Sequence, residues 1–449
     1  QKNKYIKNTQ SIYQNVQNNY SRFMEFLSYN FLTPELEFYK SELEEQVVSL
    51  IHEQDIEPCL SIFYSFSQTA PALLFEQQEE SDLNQDYVPE GALVALEVPS
   101  GRIISMVGGS GYTPFNQLNR VYQSRRQPGS AFKPFIYLMG LLSKKFSAAS
   151  VINDIPLAYK VEDDEIWTPK NAGKNYHGRV RLREALKKSI NIVSIRMLEI
   201  LGLDETIDMI TKILTVSQER IRKDYSLALG TSEFTPLEIA KGYAVLANMG
   251  KDVIPHAVLR IEDRQGKIIW NPEAEINAQE KEQIVPPEYV YILNDMMKAV
   301  VQPGGTAAGA AARANFTYSV AGKTGTSSNF KDAWFSGFNP HIVATVWVGF
   351  DRGTTLGIWE TGGRVAAPVW MEYMKFALKD YPNSPFPYPG NIVSLEVCAN
   401  SGLLPSEHCQ ETLEELFLPD KVPQKECDFC EKEYNVSEQE LEKIDILNF

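Results

Sequence analysis

The sequence predicts an α+β fold: a central antiparallel β-sheet with a helical cluster packed on it, an N-terminal helical or linker segment, and a small cysteine-containing C-terminal appendage. Two observations predict it. Strand-like segments stand at both ends of a central region, at 92–98 and 103–107 and again at 318–326, 333–338 and 342–350. Between them, from Phe132 to about Tyr243, apolar residues recur at three- and four-residue steps, as in 182–186 and 193–200, which is a helical period. Strands at the two ends with helices between them fit one sheet whose exposed face a helical layer covers.

Each element has its own local signal. Residues 1–87 are rich in Gln and Glu and loosely helical in pattern. They end in Glu76, Glu79, Glu80, Asp82 and Asp86, a like-charge run that reads as a solvated linker. Pro99-Ser100-Gly101 supplies a turn between the first two strands. After the helices, 253–270 returns to strand-like alternation and 286–301 reads as a further helix. Gly304-Gly305 then breaks the chain before the last three strands, with Asn339-Pro340 among the breakers between them. From about Pro382, prolines, cysteines and acids set off the appendage. The expected organisation is therefore 1–89 helical or linker, 90–380 the main domain, and 381–449 the appendage, with no internal repeat.

With 449 residues and 43% hydrophobic content the chain can bury a sizeable core. A formal charge of −15 argues against a nucleic-acid partner. One stretch runs the other way: Lys170, Lys174, Arg179, Arg181, Arg183, Lys187 and Lys188 face a single acid, Glu184. It reads either as a solvated face or as a patch that attracts a carboxylate-bearing substrate. The longest apolar run, around 135–142, is too short to span a bilayer, and 1–10 lacks the apolar core of a signal peptide. Opening on Gln, the chain reads as a fragment whose longer parent supplies a membrane tether. Cys398, Cys409, Cys427 and Cys430 lie near the C-terminus, with Cys59 apart. Cys427 and Cys430 form a C-x-x-C, but the second close pair of a typical zinc site is missing, and disulfides are the expected state.

Three short motifs carry chemistry: Ser130-Ala131-Phe132-Lys133, Ser189-Ile190-Asn191 and Lys323-Thr324-Gly325-Thr326. Each has an ordinary reading as well, the first as an N-capping serine with a surface lysine, the second as helix-capping residues, the third as a strand end running into a turn. The chain also supplies decoys, Ser328/Lys331 for the first pattern and Ser28/Asn30 or Ser327/Asn329 for the second. Only the 130/189/323 set has the order and domain-scale gaps of serine acyl-transferases. Its chemistry is coherent. Residues three apart on a helix share a face, so Lys133 can reach the Ser130 hydroxyl. A serine is a poor nucleophile until a base takes its proton, and burial would keep a lysine neutral enough to be that base. Gly325 clears space where an extended peptide would lie along a strand. The five histidines lie outside these motifs, so a Ser-His-Asp triad has no candidate serine.

Residues 90 to about 375 resemble the transpeptidase domain of class A (bifunctional-type) penicillin-binding proteins, in the superfamily shared with serine β-lactamases. The resembling blocks run from Glu90-Gly91-Ala92-Leu93-Val94-Ala95-Leu96 and Val107-Gly108-Gly109 through Arg126-Gln127-Pro128-Gly129-Ser130-Ala131-Phe132-Lys133-Pro134-Phe135. They continue with Trp167-Thr168-Pro169-Lys170-Asn171, Leu182-Arg183-Glu184-Ala185-Leu186, Ala228-Leu229-Gly230-Thr231 and Thr235-Pro236-Leu237-Glu238. The last are Ala321-Gly322-Lys323-Thr324-Gly325-Thr326, Asp332-Ala333-Trp334-Phe335 and Val346-Trp347-Val348-Gly349.

The resemblance implies the penicillin-binding protein fold and a D,D-transpeptidase that cross-links peptidoglycan, extracytoplasmic and without cofactor or metal. Ser130 would be acylated by the penultimate D-Ala of a stem peptide, with Lys133 as base, Ser189 as proton shuttle and Lys323 completing the charge network. Asn191, Thr324, Gly325 and Thr326 would bind substrate, and the N–H groups of Ser130 and Thr326 would form the oxyanion hole. Partners would be stem peptides on lipid-linked or polymerised glycan, and β-lactams that trap Ser130. Residues 1–89 are too short for the glycosyltransferase domain of such proteins, so this chain is not expected to polymerise glycan. Two alternatives are a hydrolase, either a D,D-carboxypeptidase or a β-lactamase (the β-lactamase disfavoured by Ser-Ile-Asn in place of Ser-Asp-Asn), and a sensor that binds stem peptides without turnover.

Overall fold

The computed structural model describes residues 88–112, 116–160 and 166–431. The N-terminal segment, its acidic run, Cys59 and the Ser28/Asn30 decoy lie outside the described residues.

The described chain opens on β1 (Glu90–Glu97) and β2 (Ile103–Val107), joined through the expected turn. A helical region follows. A 3₁₀ turn at Gly129–Phe132 runs into α1 (Lys133–Leu142), and β3 (Val151–Asp154) pairs antiparallel with β4 (Gly178–Arg181). Next come α2 (Leu182–Lys188), α3 (Asn191–Leu201), α4 (Leu203–Leu214), α5 (Pro236–Ala247) and α6 (Pro287–Lys298). The chain then returns to the sheet as β5 (Ala321–Thr326), β6 (Asp332–Phe338) and β7 (Ile342–Gly349), followed by α7 (Ala366–Ala377). A C-terminal hairpin, β8 (Val393–Cys398) with β9 (Thr412–Phe417), forms the appendage.

The sheet is five-stranded and antiparallel, in the order β2-β1-β7-β6-β5. Its middle strands read as unbroken apolar runs because both faces are covered. Along β7, Val343 and Trp347 enter the core beneath the helical cluster, whereas Ile342, Ala344, Val346 and Val348 enter the core shared with α7. That split is the period-two alternation of a strand, hidden in the sequence by two apolar environments. α5 begins with the Thr235-Pro236-Leu237-Glu238 block, and the reason is local: Thr235 and Glu238 make a reciprocal capping box with Pro236 at the first turn.

The region from Phe132 to Tyr243 is mostly helical, with β3 and β4 interrupting it. One expectation needs correction. The alternation at 253–270 yields only the short pair Ile261–Glu262 and Ile268–Trp270. The basic stretch proves to be largely a joint rather than a substrate patch. The Arg183 guanidinium donates to the buried Glu415 of β9 at 2.8 Å and to Asp295 of α6 at 2.7 Å. Arg181 donates to the Ala399 carbonyl at 2.7 Å, Arg179 lies over the Phe429 ring, and Lys188 pairs with Glu184 at 3.0 Å. The contacts to Glu415, Ala399 and Phe429 hold the appendage against β4 and α2.

Candidate active site

The three motifs, 59 and 134 positions apart in sequence terms of their first residues Ser130, Ser189 and Lys323, converge where the helical cluster meets the edge strand β5. Ser130 sits half-buried in the 3₁₀ turn that opens α1, so Lys133 follows one turn later and points inward, fully buried. The turn lies against β5 with no room to spare. Gly129 has φ +55° and a Cβ there would come within 2.3 Å of the Thr326 carbonyl oxygen. A Cβ on Gly325 would lie 2.2 Å from the Pro128 carbonyl oxygen. Both glycines are thus required by the close approach of the nucleophile's turn to the strand.

Ser189 and Asn191 arrive from the junction of α2 and α3. Ser189 ends α2 in the left-handed region, φ 60°, a conformation costly for a residue with a Cβ and of the kind that gathers at functional sites. Buried Ile190 anchors the link. Asn191 then starts α3, and no side chain of its own N-cap residue caps the helix. Asn171 does so from another segment: its Oδ1 accepts from the backbone N–H groups of Asn191 at 2.9 Å and Ile192 at 3.3 Å. The Asn171 amide in turn donates to both oxygens of Asp154, a fully buried carboxylate at the end of β3, at 2.8 and 2.9 Å. Asp154 also accepts from the His177 backbone N–H at 2.9 Å and lies 2.7 Å from its ring Nδ1.

Lys133 is the hub. Its Nζ donates to the Ser189 carbonyl at 2.7 Å and to Asn191 Oδ1 at 2.7 Å, with Ser189 Oγ at 3.4 Å. The Asn191 amide cannot be turned round, because its Nδ2 donates to the Lys170 carbonyl at 2.8 Å. Two acceptor-only partners match the two N–H bonds of a neutral amine and leave its lone pair for a third group. Electrostatics favour that form. Burial first, and the charge of Lys323 second, hold Lys133 well below its ordinary 10.5, with the Asp154 carboxylate opposing them. Lys323 is likewise fully buried, and burial lowers it to about 7. Its Nζ reaches the Thr324 carbonyl at 3.1 Å and Oγ1 at 3.3 Å.

Thr324 Oγ1 is also 2.7 Å from Thr306 Oγ1, and Thr326 Oγ1 accepts from the Gly362 N–H at 3.1 Å. As the outer strand of the sheet, β5 has a sheet neighbour only on its β6 side, leaving the other edge toward Ser130. All eight residues expected at the site are therefore brought together. Sequence reasoning missed Asp154, Asn171, His177 and Thr306. Asn171 had a signal, since it closes the Trp167-Thr168-Pro169-Lys170-Asn171 block; the others had none. The decoy Ser328 is exposed on a short 3₁₀ turn with Asn329 at φ 59°, and its Lys331 shares no helical face with it.

Residues 91–375 match the model of the penicillin binding protein transpeptidase domain, and residues 388–432 match that of the penicillin-binding protein 1A C-terminal domain. The chain belongs to the penicillin-binding protein transpeptidase family. It is similar to penicillin-binding protein 1A of Pseudomonas aeruginosa, 36% identical over 405 residues, covering 80% of this chain and 48% of that protein. Penicillin-binding protein 1A of Neisseria meningitidis serogroup A is 40% identical over 312 residues, 69% of this chain and 38% of that protein. The chain thus spans half or less of these relatives. Among solved structures, penicillin-binding protein 1A from Haemophilus influenzae superposes with a TM-score of 0.69 at 30% identity, covering 76% of this chain and 54% of that one. PonA1 from Mycobacterium tuberculosis, solved in complex with penicillin V, shares the fold at a TM-score of 0.56 and 22% identity.

Proposed function

We propose that this chain is a serine-type D-Ala-D-Ala transpeptidase that cross-links peptidoglycan stem peptides at the outer face of the bacterial cytoplasmic membrane. The observation that carries the reading is Lys133, buried and held by Ser189 and Asn191 beside a second buried lysine. In the first half-reaction Ser130 Oγ attacks the carbonyl carbon of the penultimate D-Ala while Lys133 takes the hydroxyl proton. The oxyanion is met by the N–H groups of Ser130 and Thr326, a contribution typically worth about a hundred- to a thousandfold in rate per donor. The C–N bond then breaks, the proton returns to the departing amine through Ser189, and terminal D-Ala leaves. An amine of a neighbouring stem attacks the Ser130 ester and gives up its proton to the same base; the acyl C–O bond breaks, Ser130 Oγ takes that proton back, and the new amide is the cross-link.

Asn191 and the β5 edge bind the extended donor peptide, and the two hydroxyls of Thr324 and Thr326 stand beside its carboxylate with Lys323. β-Lactams would enter as mimics of D-Ala-D-Ala and leave Ser130 as a slowly hydrolysed ester. No helix of the described residues is long and apolar enough to cross a membrane. The test is labelling with a fluorescent penicillin, wild type against Ser130→Ala, followed by incubation with donor and acceptor stems. Stable labelling that needs Ser130, with cross-linked product, is expected. Absence of wild-type labelling would overturn the reading, rapid loss of label would indicate a hydrolase, and stable label without cross-links a sensor.

A further inference from the structure

We propose that the C-terminal appendage is a structural zinc module in which Cys398, Cys409, Cys427 and Cys430 supply four thiolates to one tetrahedral Zn²⁺. The four come from three separate segments: Cys398 from the end of β8, Cys409 from the hairpin loop, and Cys427 and Cys430 from beyond β9. Their sulfurs nevertheless all lie within 4.8 Å of one another. Zinc–sulfur bonds of about 2.3 Å place tetrahedral sulfurs about 3.8 Å apart. Cys398 and Cys430 Sγ stand 3.6 Å apart, whereas a disulfide needs about 2.0 Å. All four are free cysteines, which departs from the disulfides the sequence suggested.

The backbone is shaped around the cluster rather than around any one pair. The Cys427 N–H donates to the Leu404 carbonyl at 2.8 Å and the Leu404 N–H to the Lys425 carbonyl at 3.0 Å, tying the C-x-x-C segment to the loop. The Cys398 N–H donates to the Leu403 carbonyl at 2.8 Å. Two donors address the sulfurs from outside, the Ser406 N–H to Cys409 at 3.4 Å and Asn400 Nδ2 to Cys430 at 3.9 Å. Such outer contacts orient and stabilise thiolate ligands. Cys398, Cys427 and Cys430 are buried, packed with Leu403 and Phe429. The missing second C-x-x-C that weakened the zinc reading of the sequence is made good in space by Cys398 and Cys409. Four-sulfur tetrahedral sites with no open position are characteristic of structural zinc.

The consequence is mechanical. Ala399, next to Cys398, accepts from Arg181, and Phe429, next to Cys430, lies under Arg179. The module thereby fixes the appendage to β4, whose partner β3 ends at Asp154. The test is metal analysis of the intact chain, recovered after export so that oxidation has had its chance. The expected result is about one zinc per chain, with X-ray absorption at the zinc edge reporting four sulfur ligands. Cys398→Ser and Cys427→Ser should each lower bound zinc at least tenfold, and penicillin labelling is a separate readout that the proposal does not require. If either variant fails to fold, the wild-type absorption spectrum and thiol count decide alone. Two disulfides per chain with no metal would overturn the proposal. So would a metal bound through nitrogen or oxygen, a metal other than zinc, or zinc retained when Cys398 is replaced.

Discussion

Lys133 Nζ and Asn191 Oδ1 stand 2.7 Å apart in a buried setting, one residue the candidate base and the other the first residue of a helix. Burial and the charge of Lys323 hold the lysine low, and the neutral amide oxygen adds no charge to oppose them. Asn191→Asp keeps the shape and the acceptor but adds a negative charge. A carboxylate at hydrogen-bond range favours the ammonium and raises its pKa by about one to three units. Acylation by penicillin near pH 7 should therefore fall about 10- to 1000-fold and recover as pH rises. Asn191→Ala should lose rate without that recovery. Stopped-flow acylation across pH distinguishes them, and an unshifted acid limb in Asn191→Asp would sink the argument.

Asp154 touches neither Ser130 nor Lys133 through a hydrogen bond, yet it holds Asn171, which holds the start of α3. Asp154→Ala removes the acceptor for the His177 N–H in a buried site and for one N–H of the Asn171 amide, whose Nδ2 keeps the Asn175 carbonyl at 2.9 Å. Leaving such donors unpaired costs about 1–3 kcal/mol each at most, so the melting temperature should drop. Acylation should slow by about tenfold as Asn191 loses its fixed orientation. Wild-type kinetics in a stably folded Asp154→Ala chain would show that this support is dispensable.

Burial of Lys323 makes a prediction about stability. Below about pH 7 it is protonated in folded and unfolded chains alike, and the full cost of a buried cation is present. Above its ordinary 10.5 it is neutral in both, and that cost is gone. Between the two the unfolded chain binds more protons, so stability rises with pH through this group. Lys323→Met should abolish penicillin labelling yet raise the melting temperature at pH 6.5. The gain should shrink steadily toward pH 10. A gap that does not change with pH would mean Lys323 titrates near its ordinary value.

Ser328→Ala should leave labelling unchanged, since this serine is exposed and its turn departs from helical geometry at Asn329 and Phe330. Loss of label in this variant would move the nucleophile away from Ser130.

The order of strands and helices was legible because the outer motifs bracket a helical middle. So was the convergence of the eight site residues, because order and spacing excluded the decoys. What escaped has a physical reason in each case. At β7 the strand itself was read, but burial on both faces erased its alternation, so which residues meet which core was not legible. Asp154 is a lone acid in a short strand, and only the fold brings it to Asn171. The roles of Arg181 and Arg183 depend on Glu415, more than two hundred positions away in the chain. Cys398 and Cys409 look unpaired in sequence because their partners are assembled by the hairpin.

Gly325 gives the most demanding test of the contact between turn and strand. A methyl group there would meet the Pro128 carbonyl oxygen at 2.2 Å, Trp334 Cβ at 2.8 Å and Ala131 Cβ at 2.9 Å. None of these is the free end of a flexible side chain, so β5 must move away from the Ser130 turn. Overpacking of this kind costs about 1–3 kcal/mol, which a domain this size can survive. The larger effect falls on rate, because the Ser130 and Thr326 N–H groups lie on opposite sides of the gap that widens. Acylation by penicillin in Gly325→Ala should fall about a hundredfold or more, the loss expected when an oxyanion donor is displaced. Gly173→Ala, where nothing lies within 4 Å of the added methyl, is the control and should label normally. Equal acylation rates in the two variants would show that the turn and the strand need not touch for the site to work.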